Sequence, residues 1–211
     1  MRSVMRADVR TRSVLRSAPA KPAKPQGFSL VELLVTLIIV AVGLLGLAAT
    51  QAAMQEADFD SYQRAQAVVL ANDMLDRISA NRYAAPCYAI TAGGGSPYLG
   101  TPTGGGHLGA PTCGLGSATA EQAARAVADL AEWDQQLQGA AEVHNGANAG
   151  AMSEARGCVT FDAATQAYTV VVAWQGRNPT FASVNACGNG LYGDEAQRRT
   201  VWMRLRMADL M

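Results

Sequence analysis

The feature that most constrains this chain of 211 residues is an apolar run of 22 residues, from Phe28 to Ala49. About 20 helical residues cross the hydrocarbon core of a bilayer, so this run is long enough to span a membrane. Seven basic residues and one acid precede it, which gives residues 1–26 a net charge of +6. The positive-inside rule predicts that this leader stays in the cytoplasm and that the body faces the other side of the membrane.

The formal net charge of zero conceals two oppositely charged parts. Residues 28–211 carry a net charge of −6, and every lysine of the chain lies in the basic leader. Charged residues make up only 16% of the chain, which agrees with a membrane segment or a largely buried stalk. The length fits one globular domain in addition to an anchor.

Three interpretations of the apolar run differ in what they explain. A cleaved secretory signal peptide has a shorter apolar core and a small-residue cleavage site behind it, and this run fits neither. A generic transmembrane anchor fits the length but leaves Glu32 unexplained. A charged side chain at the centre of a bilayer costs about 2.5–3.5 kcal/mol on insertion scales, so Glu32 indicates a function.

The third interpretation explains the acid. The residues QGFSLVE (26–32) resemble the prepilin peptidase site of type IV pilins and type II secretion pseudopilins. This resemblance implies cleavage between Gly27 and Phe28 and N-methylation of Phe28. It also implies that Glu32 pairs with the N-terminal amine of a neighbouring subunit during assembly. A buried carboxylate needs a partner charge, and the new amine supplies one.

Two features depart from the family pattern. The leader is longer than in most members, and Met5 is an alternative start. Many major pilins carry a proline about 20 residues into the mature chain, whereas this segment has Gly43 and Gly46.

A narrower resemblance, to the PilV-type minor pilins, rests on residues 28–49, on Arg156-Gly-Cys-Val159, and on a late cysteine before Arg198-Arg-Thr-Val201. It implies a low-abundance subunit that primes pilus assembly and ends at the filament tip. The partners it implies are other minor pilins, the major pilin, the prepilin peptidase, the inner-membrane assembly platform and a tip adhesin. The alternative is a minor pseudopilin of a type II secretion system.

Periodicity predicts an α+β fold of the type IV pilin kind, with a long helix packed on an antiparallel sheet. The helix is expected from Phe28 to about Arg82, ended by Pro86, with an apolar stripe of Ala65, Val68, Ala71, Leu75 and Ile78. The predicted parts are a leader (1–27), a transmembrane and filament-core helix (28–50) and a periplasmic head (51–211).

Further along, residues 91–117 are rich in glycine and proline and are predicted to form a loop. A second helix is expected from Ala118 to Gln138, capped by Thr119 with Gln122. Residues 139–151 are predicted to form another loop. Alternation of apolar residues predicts a hairpin of 156–161 and 167–174, and a third strand over 199–207.

The four cysteines, in a chain whose body is exported, predict two disulfides. Four cysteines allow three connectivities. The pairs Cys87–Cys113 and Cys158–Cys187 are favoured because each closes a local loop.

Other function classes receive little support from the residues. His107 and His144 both lie in glycine-rich loops, and we expect no catalytic residue, no cofactor and no metal. Asp194 and Glu195 lack a calcium-loop pattern. Near the end of the chain a small basic cluster surrounds Trp202, formed by Arg198, Arg199, Arg204 and Arg206, but a body of net charge −6 opposes binding of nucleic acid. The aromatic residues expected in the core are Trp133, Trp174, Tyr168 and Phe161.

Overall fold

The computed structural model describes residues 27–140, 143–148, 150 and 152–207. The basic leader, residues 1–26, lies outside the described residues. The chain divides into two compact units, with the boundary between Ala49 and Thr50.

The first helix, α1, spans Leu30–Ala80, so the predicted long helix is confirmed with ends within about two residues. Every side chain from Gly27 to Gln55 is exposed. Beyond that segment, one face of α1 is buried at steps of four and three residues: Gln63, Ala67, Ala71, Met74 and Ile78. This face packs in the core of the second unit.

The predicted apolar stripe is confirmed at Ala71 and Ile78, which are fully buried, and is less accurate at its other three positions. Ala65 is exposed, and Val68 and Leu75 are only half-buried. Small apolar residues occur on several faces of this part of α1, so the period alone does not select the face that packs. The prediction also missed Gln63, which is 2% exposed.

The prediction that Pro86 ends the long helix is wrong. Helix α1 ends at Ala80, and Asn81 leaves the helical conformation with φ −116° and ψ 49°. A 3₁₀ turn, Arg82–Ala84, leads into a short helix, α2, Ala85–Tyr88. Pro86 lies in the first turn of α2, where its missing N–H costs no intrahelical hydrogen bond.

The third helix, α3, spans Ala120–Leu137 and has the predicted capping box. Thr119 Oγ1 accepts the N–H of Gln122 at 3.2 Å, and Gln122 Oε1 accepts the N–H of Thr119 at 2.9 Å. These reciprocal bonds satisfy two of the donors that a helix start leaves unpaired. The apolar side of α3 is buried at Ala123, Ala126, Leu130, Trp133 and Leu137.

A polar cluster joins α1, α2 and α3. The carboxylate of Asp129, 3% exposed, accepts hydrogen bonds from Tyr88 Oη at 2.5 Å, Arg125 at 3.0 Å and Arg77 at 3.1 Å. Burial and the bond to Asp129 raise the pKa of Tyr88. A hydrogen bond from Arg77, at 2.9 Å, lowers the pKa of Glu132. The buried charge of Asp129 is therefore paired with two cations.

The predicted antiparallel sheet is confirmed and has four strands, in the order β1-β4-β5-β6. A separate two-stranded hairpin pairs β2 with β3, in the segment that was predicted to be a loop. The strands in chain order are β1 (Leu99–Gly100), β2 (Val143–His144), β3 (Ala147–Asn148), β4 (Arg156–Asp162), β5 (Ala167–Gln175) and β6 (Arg198–Arg206).

One face of the sheet packs on the helices, with Val159, Val170 and Val172 fully buried. Trp133, Trp174 and Tyr168 lie in this core as predicted. Phe161 does not, because it lies next to the hairpin turn and is 40% exposed. The centre of its ring lies 4.7 Å from that of Tyr168.

The segment Arg156-Gly157-Cys158 has a distinct packing role at each residue. The guanidinium of Arg156 is buried, 4.7 Å from the centre of the Tyr192 ring and 5.4 Å from that of Tyr98. A Cβ at Gly157 would lie 2.2 Å from the indole of Trp133, so only glycine permits this approach. Cys158 carries a disulfide.

The structure joins Cys87 to Cys113 and Cys158 to Cys187, the two pairs favoured from the sequence. The Cα–Cα distances are 5.1 and 5.8 Å, within the usual range. Cys158 and Cys187 lie in a second cluster of buried side chains with Tyr98, Val171 and Tyr192.

We predict that Gly157→Ala lowers the free energy of unfolding by about 1–3 kcal/mol, because the added methyl overpacks against Trp133. Thermal unfolding of the full chain in detergent measures this change. Gly94→Ala is the matched control, since a Cβ there meets no atom within 4 Å. Equal stability of the two variants would contradict the close packing at Gly157.

We also predict that no cysteine reacts with an alkylating reagent before reduction and that all four react after it. Peptide mapping should recover the pairs Cys87–Cys113 and Cys158–Cys187. Replacing both Cys158 and Cys187 with alanine should cost about 3 kcal/mol of stability, since their separation of 29 residues closes a moderately long loop. Labelling of all four thiols before reduction would refute both bridges.

Candidate functional site

The start of the described chain is accessible. Residues 27–29 have no regular secondary structure, and Phe28 is 79% exposed. The carbonyl oxygen of Ser29 accepts the N–H groups of Glu32 at 3.0 Å and Leu33 at 3.2 Å, which begins α1. The peptide bond between Gly27 and Phe28 therefore lies outside the helix, in a segment that an enzyme could bind in extended form.

The fold does not require glycine at position 27. A Cβ built there meets no atom within 4 Å, and the backbone is outside the left-handed region that favours glycine. Gly157, by contrast, is required by packing. A need for glycine at position 27 would therefore come from a partner that binds this segment.

Glu32 lies in the first turn of α1 and is exposed. Within the residues that the structure describes, its carboxylate has no ion pair and no side-chain hydrogen bond. A carboxylate in this position interacts with the helix dipole, which contributes about 0.3–1 kcal/mol. Charged side chains within membrane-spanning segments are rare and usually functional, so the small contribution of the dipole leaves Glu32 as a candidate functional residue.

The apolar side chains that follow Glu32 have no cover in the described chain. The large apolar residues from Phe28 to Leu47 are 47–79% exposed. By length and composition, α1 is the one helix among the described residues that is apolar enough to cross a membrane. An apolar surface of this length requires lipid or other helices around it.

The two histidines differ in their surroundings. His107 Nε2 lies 2.9 Å from Asp134 Oδ1, and His107 Nδ1 accepts the N–H of Gly109 at 3.1 Å. Asp134 Oδ1 also accepts the N–H of Gly100 at 2.6 Å. These bonds attach the glycine-rich loop to α3. His144 is exposed on β2.

Two of the arginines in the predicted basic cluster hold a loop and are not free for a ligand. Arg198 is 2% exposed, pairs with Glu195 at 2.6 Å, and donates to backbone carbonyls of the loop of residues 176–187. Arg199 donates to the carbonyls of Asn178 and Ala196 and to Thr180 Oγ1. Only Arg204 and Arg206 remain exposed, and the sequence offered no signal for this division.

The two acids near this loop also have structural partners. Asp194 accepts the N–H of Ala196 at 2.9 Å, and Glu195 Oε1 accepts the N–H of Gly190 at 2.6 Å. Over the described ranges, no group of three His, Cys, Asp or Glu side chains could hold a metal ion.

The comparisons with known proteins match the same N-terminal segment. A family model described as the prokaryotic N-terminal methylation motif matches residues 23–48. No curated protein and no solved structure matches the chain. The motif therefore coincides with the accessible Gly27–Phe28 bond, Glu32 and the exposed apolar part of α1, and together they support placing the chain among the type IV pilin-like prepilins.

Proposed function

We propose that this chain is a PilV-type minor pilin of a type IV pilus. It helps to initiate pilus assembly and enters the filament at the tip, and the pilus supports twitching motility, adhesion or DNA uptake. The observation that carries the proposal is the combination of an accessible Gly27–Phe28 bond with Glu32 at the start of an exposed apolar helix. The role is structural and needs no catalytic residue.

In this proposal the prepilin sits in the inner membrane by the segment 28–50. The basic leader is cytoplasmic and the head is periplasmic, as the positive-inside rule favours. The prepilin peptidase cuts after Gly27 and the amine of Phe28 is methylated. The disulfides of the head agree with an oxidising compartment.

Assembly then moves the apolar part of α1 from lipid into contact with other helices. Its apolar surface stays covered in both environments, so the transfer has no large hydrophobic cost. Glu32 is the exception, because its carboxylate needs a countercharge wherever water is absent. The amine of Phe28 on a neighbouring subunit supplies it, and this pair sets the axial register between subunits.

The alternative within the same class is a minor pseudopilin of a type II secretion system. The cleavage segment and the apolar helix fit both functions equally. The resemblance to PilV-type pilins rests partly on Arg156-Gly157-Cys158, whose residues pack inside the head. Because these residues pack inside the head, the pattern supports a head structure like that of PilV-type pilins. An experiment in cells is needed to choose between a pilus and a secretion system.

The first test addresses processing. Mass spectrometry of the purified protein should show an N-terminus at methylated Phe28. Gly27→Ala should retain the leader, because a side chain there hinders the peptidase while leaving the fold unchanged. Gly43→Ala is the matched control, since it adds the same methyl at another open position and should be processed normally. An intact Met1, or cleavage near residue 50, in the unmodified chain would refute the proposed site.

The second test addresses assembly in a deletion strain. Loss of surface pili and twitching with normal exoprotein secretion supports the minor pilin, whereas normal pili with exoproteins trapped in the periplasm indicates the pseudopilin.

Glu32→Ala should insert in the membrane but fail to restore pili, because removing one partner of a buried pair costs about 3 kcal/mol, roughly a hundredfold in association. Glu56→Ala, on the same helix, is the control. Full complementation by Glu32→Ala would remove this role.

A further inference from the structure

Strand β6 has a free edge. It is the last strand in the sheet order and, among the residues that the structure describes, pairs only with β5. The N–H of Gly176 donates to the carbonyl of Gln197 at 2.8 Å, which makes these two residues a hydrogen-bonded pair. Such pairs alternate along an antiparallel ladder, so every second residue of β6 from there bonds to β5. The backbone groups that point away from β5 near the end of the strand belong to Trp202, Arg204 and Arg206.

The beginning of β6 is not available, because the loop of residues 176–187 is bonded to it. Arg198 and Arg199 bind carbonyls of this loop, and Ser183 Oγ lies 2.6 Å from Thr200 Oγ1. The hydrogen bonds between this loop and β6 end at Thr200. Within the described residues, no other element hydrogen-bonds to the outer edge from Val201 to Arg206.

The two faces of this free edge differ in chemistry. On the core side, Val201, Met203 and Leu205 are only partly buried, whereas their neighbours Val170 and Val172 on β5 are fully buried. The apolar core is therefore not fully covered along β6. On the opposite side Trp202 is 55% exposed, and Arg204 and Arg206 are exposed without an ion pair in the described part of the chain.

We propose that the edge of β6 from Val201 to Arg206 binds an extended, acidic segment of a partner protein, which adds to the sheet as a fifth strand. Backbone hydrogen bonds to the edge supply affinity, and alternate side chains supply specificity. Apolar side chains of the segment cover Val201, Met203 and Leu205. Acidic side chains on its other face lie opposite Arg204 and Arg206.

The charges select this occupant over a second copy of the same strand. Pairing of two β6 edges about Arg204, the middle one of the three residues whose backbone groups point outward, places Arg204 directly opposite Arg204. Like charges directly opposite each other destabilise a strand pair, whereas opposite charges stabilise it. The two arginines thus protect the edge against self-association and favour an acidic strand. This surface does not include Gly27, Phe28 or Glu32, so failure of the inference leaves the proposed function untouched.

The test uses the full chain in detergent and a nine-residue peptide of alternating valine and glutamate with neutral ends. Amide hydrogen exchange is followed at Trp202, Arg204 and Arg206. The acidic peptide should slow exchange at these three amides at least tenfold at saturation. A peptide of alternating valine and lysine should leave them unchanged.

Three variants separate strand addition from other binding. Arg204→Pro removes one outward N–H, which an edge strand tolerates, and should abolish protection by the acidic peptide. Arg204→Ala keeps the N–H and should retain most of the protection. The double variant Arg204→Glu/Arg206→Glu should reverse the preference and bind the lysine peptide. Slow exchange at Val170 and Val172 on β5 shows that each variant is folded, and if Arg204→Pro is not, the double variant decides.

Three results would overturn the inference. The first is unchanged exchange at the β6 edge with millimolar acidic peptide. The second is equal protection by the acidic and basic peptides. The third is protection that rises with the concentration of the chain alone, which would make a second copy the occupant.

Discussion

The second compact unit depends on the packing of one indole ring. Trp133 is fully buried on α3, donates its Nε1–H to the carbonyl of Leu70 on α1 at 3.0 Å, and lies against the backbone of β4 at Gly157. One side chain thus contacts both long helices of the unit and the sheet. The absence of a side chain at Gly157 is what permits the contact, so glycine and tryptophan form a single packing unit.

Polar interactions hold the surrounding helices and the loop of residues 176–187 in place around Trp133. Asp129 joins α1, α2 and α3 through Tyr88, Arg77 and Arg125, while Arg198 and Arg199 attach the loop of residues 176–187 to β6. Burial of ionised groups is unfavourable unless each has partners, and these groups have several. Several charged residues of the head therefore act within the molecule.

Strong local signals made much of the fold predictable. The capping box at Thr119, the long stretch without glycine or proline before Ala80, and the alternation in β6 each specify one structure without help from distant residues. The predictions were least accurate where packing against distant parts of the chain determines the local structure. Several faces of α1 carry small apolar residues, so the buried face was predicted only in part. Pro86 marked a helix start, and the two-residue strand β1 exists only because it pairs with β4.

In the N-terminal segment the sequence contains a clear motif that the packing of the fold does not explain. Gly27, Phe28 and Glu32 form a recognisable motif in the sequence, whereas in the described chain they lie at an exposed helix start and have no structural role of their own. The segment from Phe28 to Ala49 contains no basic residue, and all lysines lie in the leader. In the proposed mature chain, which lacks the leader, the amine of Phe28 would be the only cation of the segment from Phe28 to Ala49. Under that proposal, the only countercharge for Glu32 within the apolar segments is the N-terminal amine of another subunit, so this one pair would be enough to fix the axial position of neighbouring subunits.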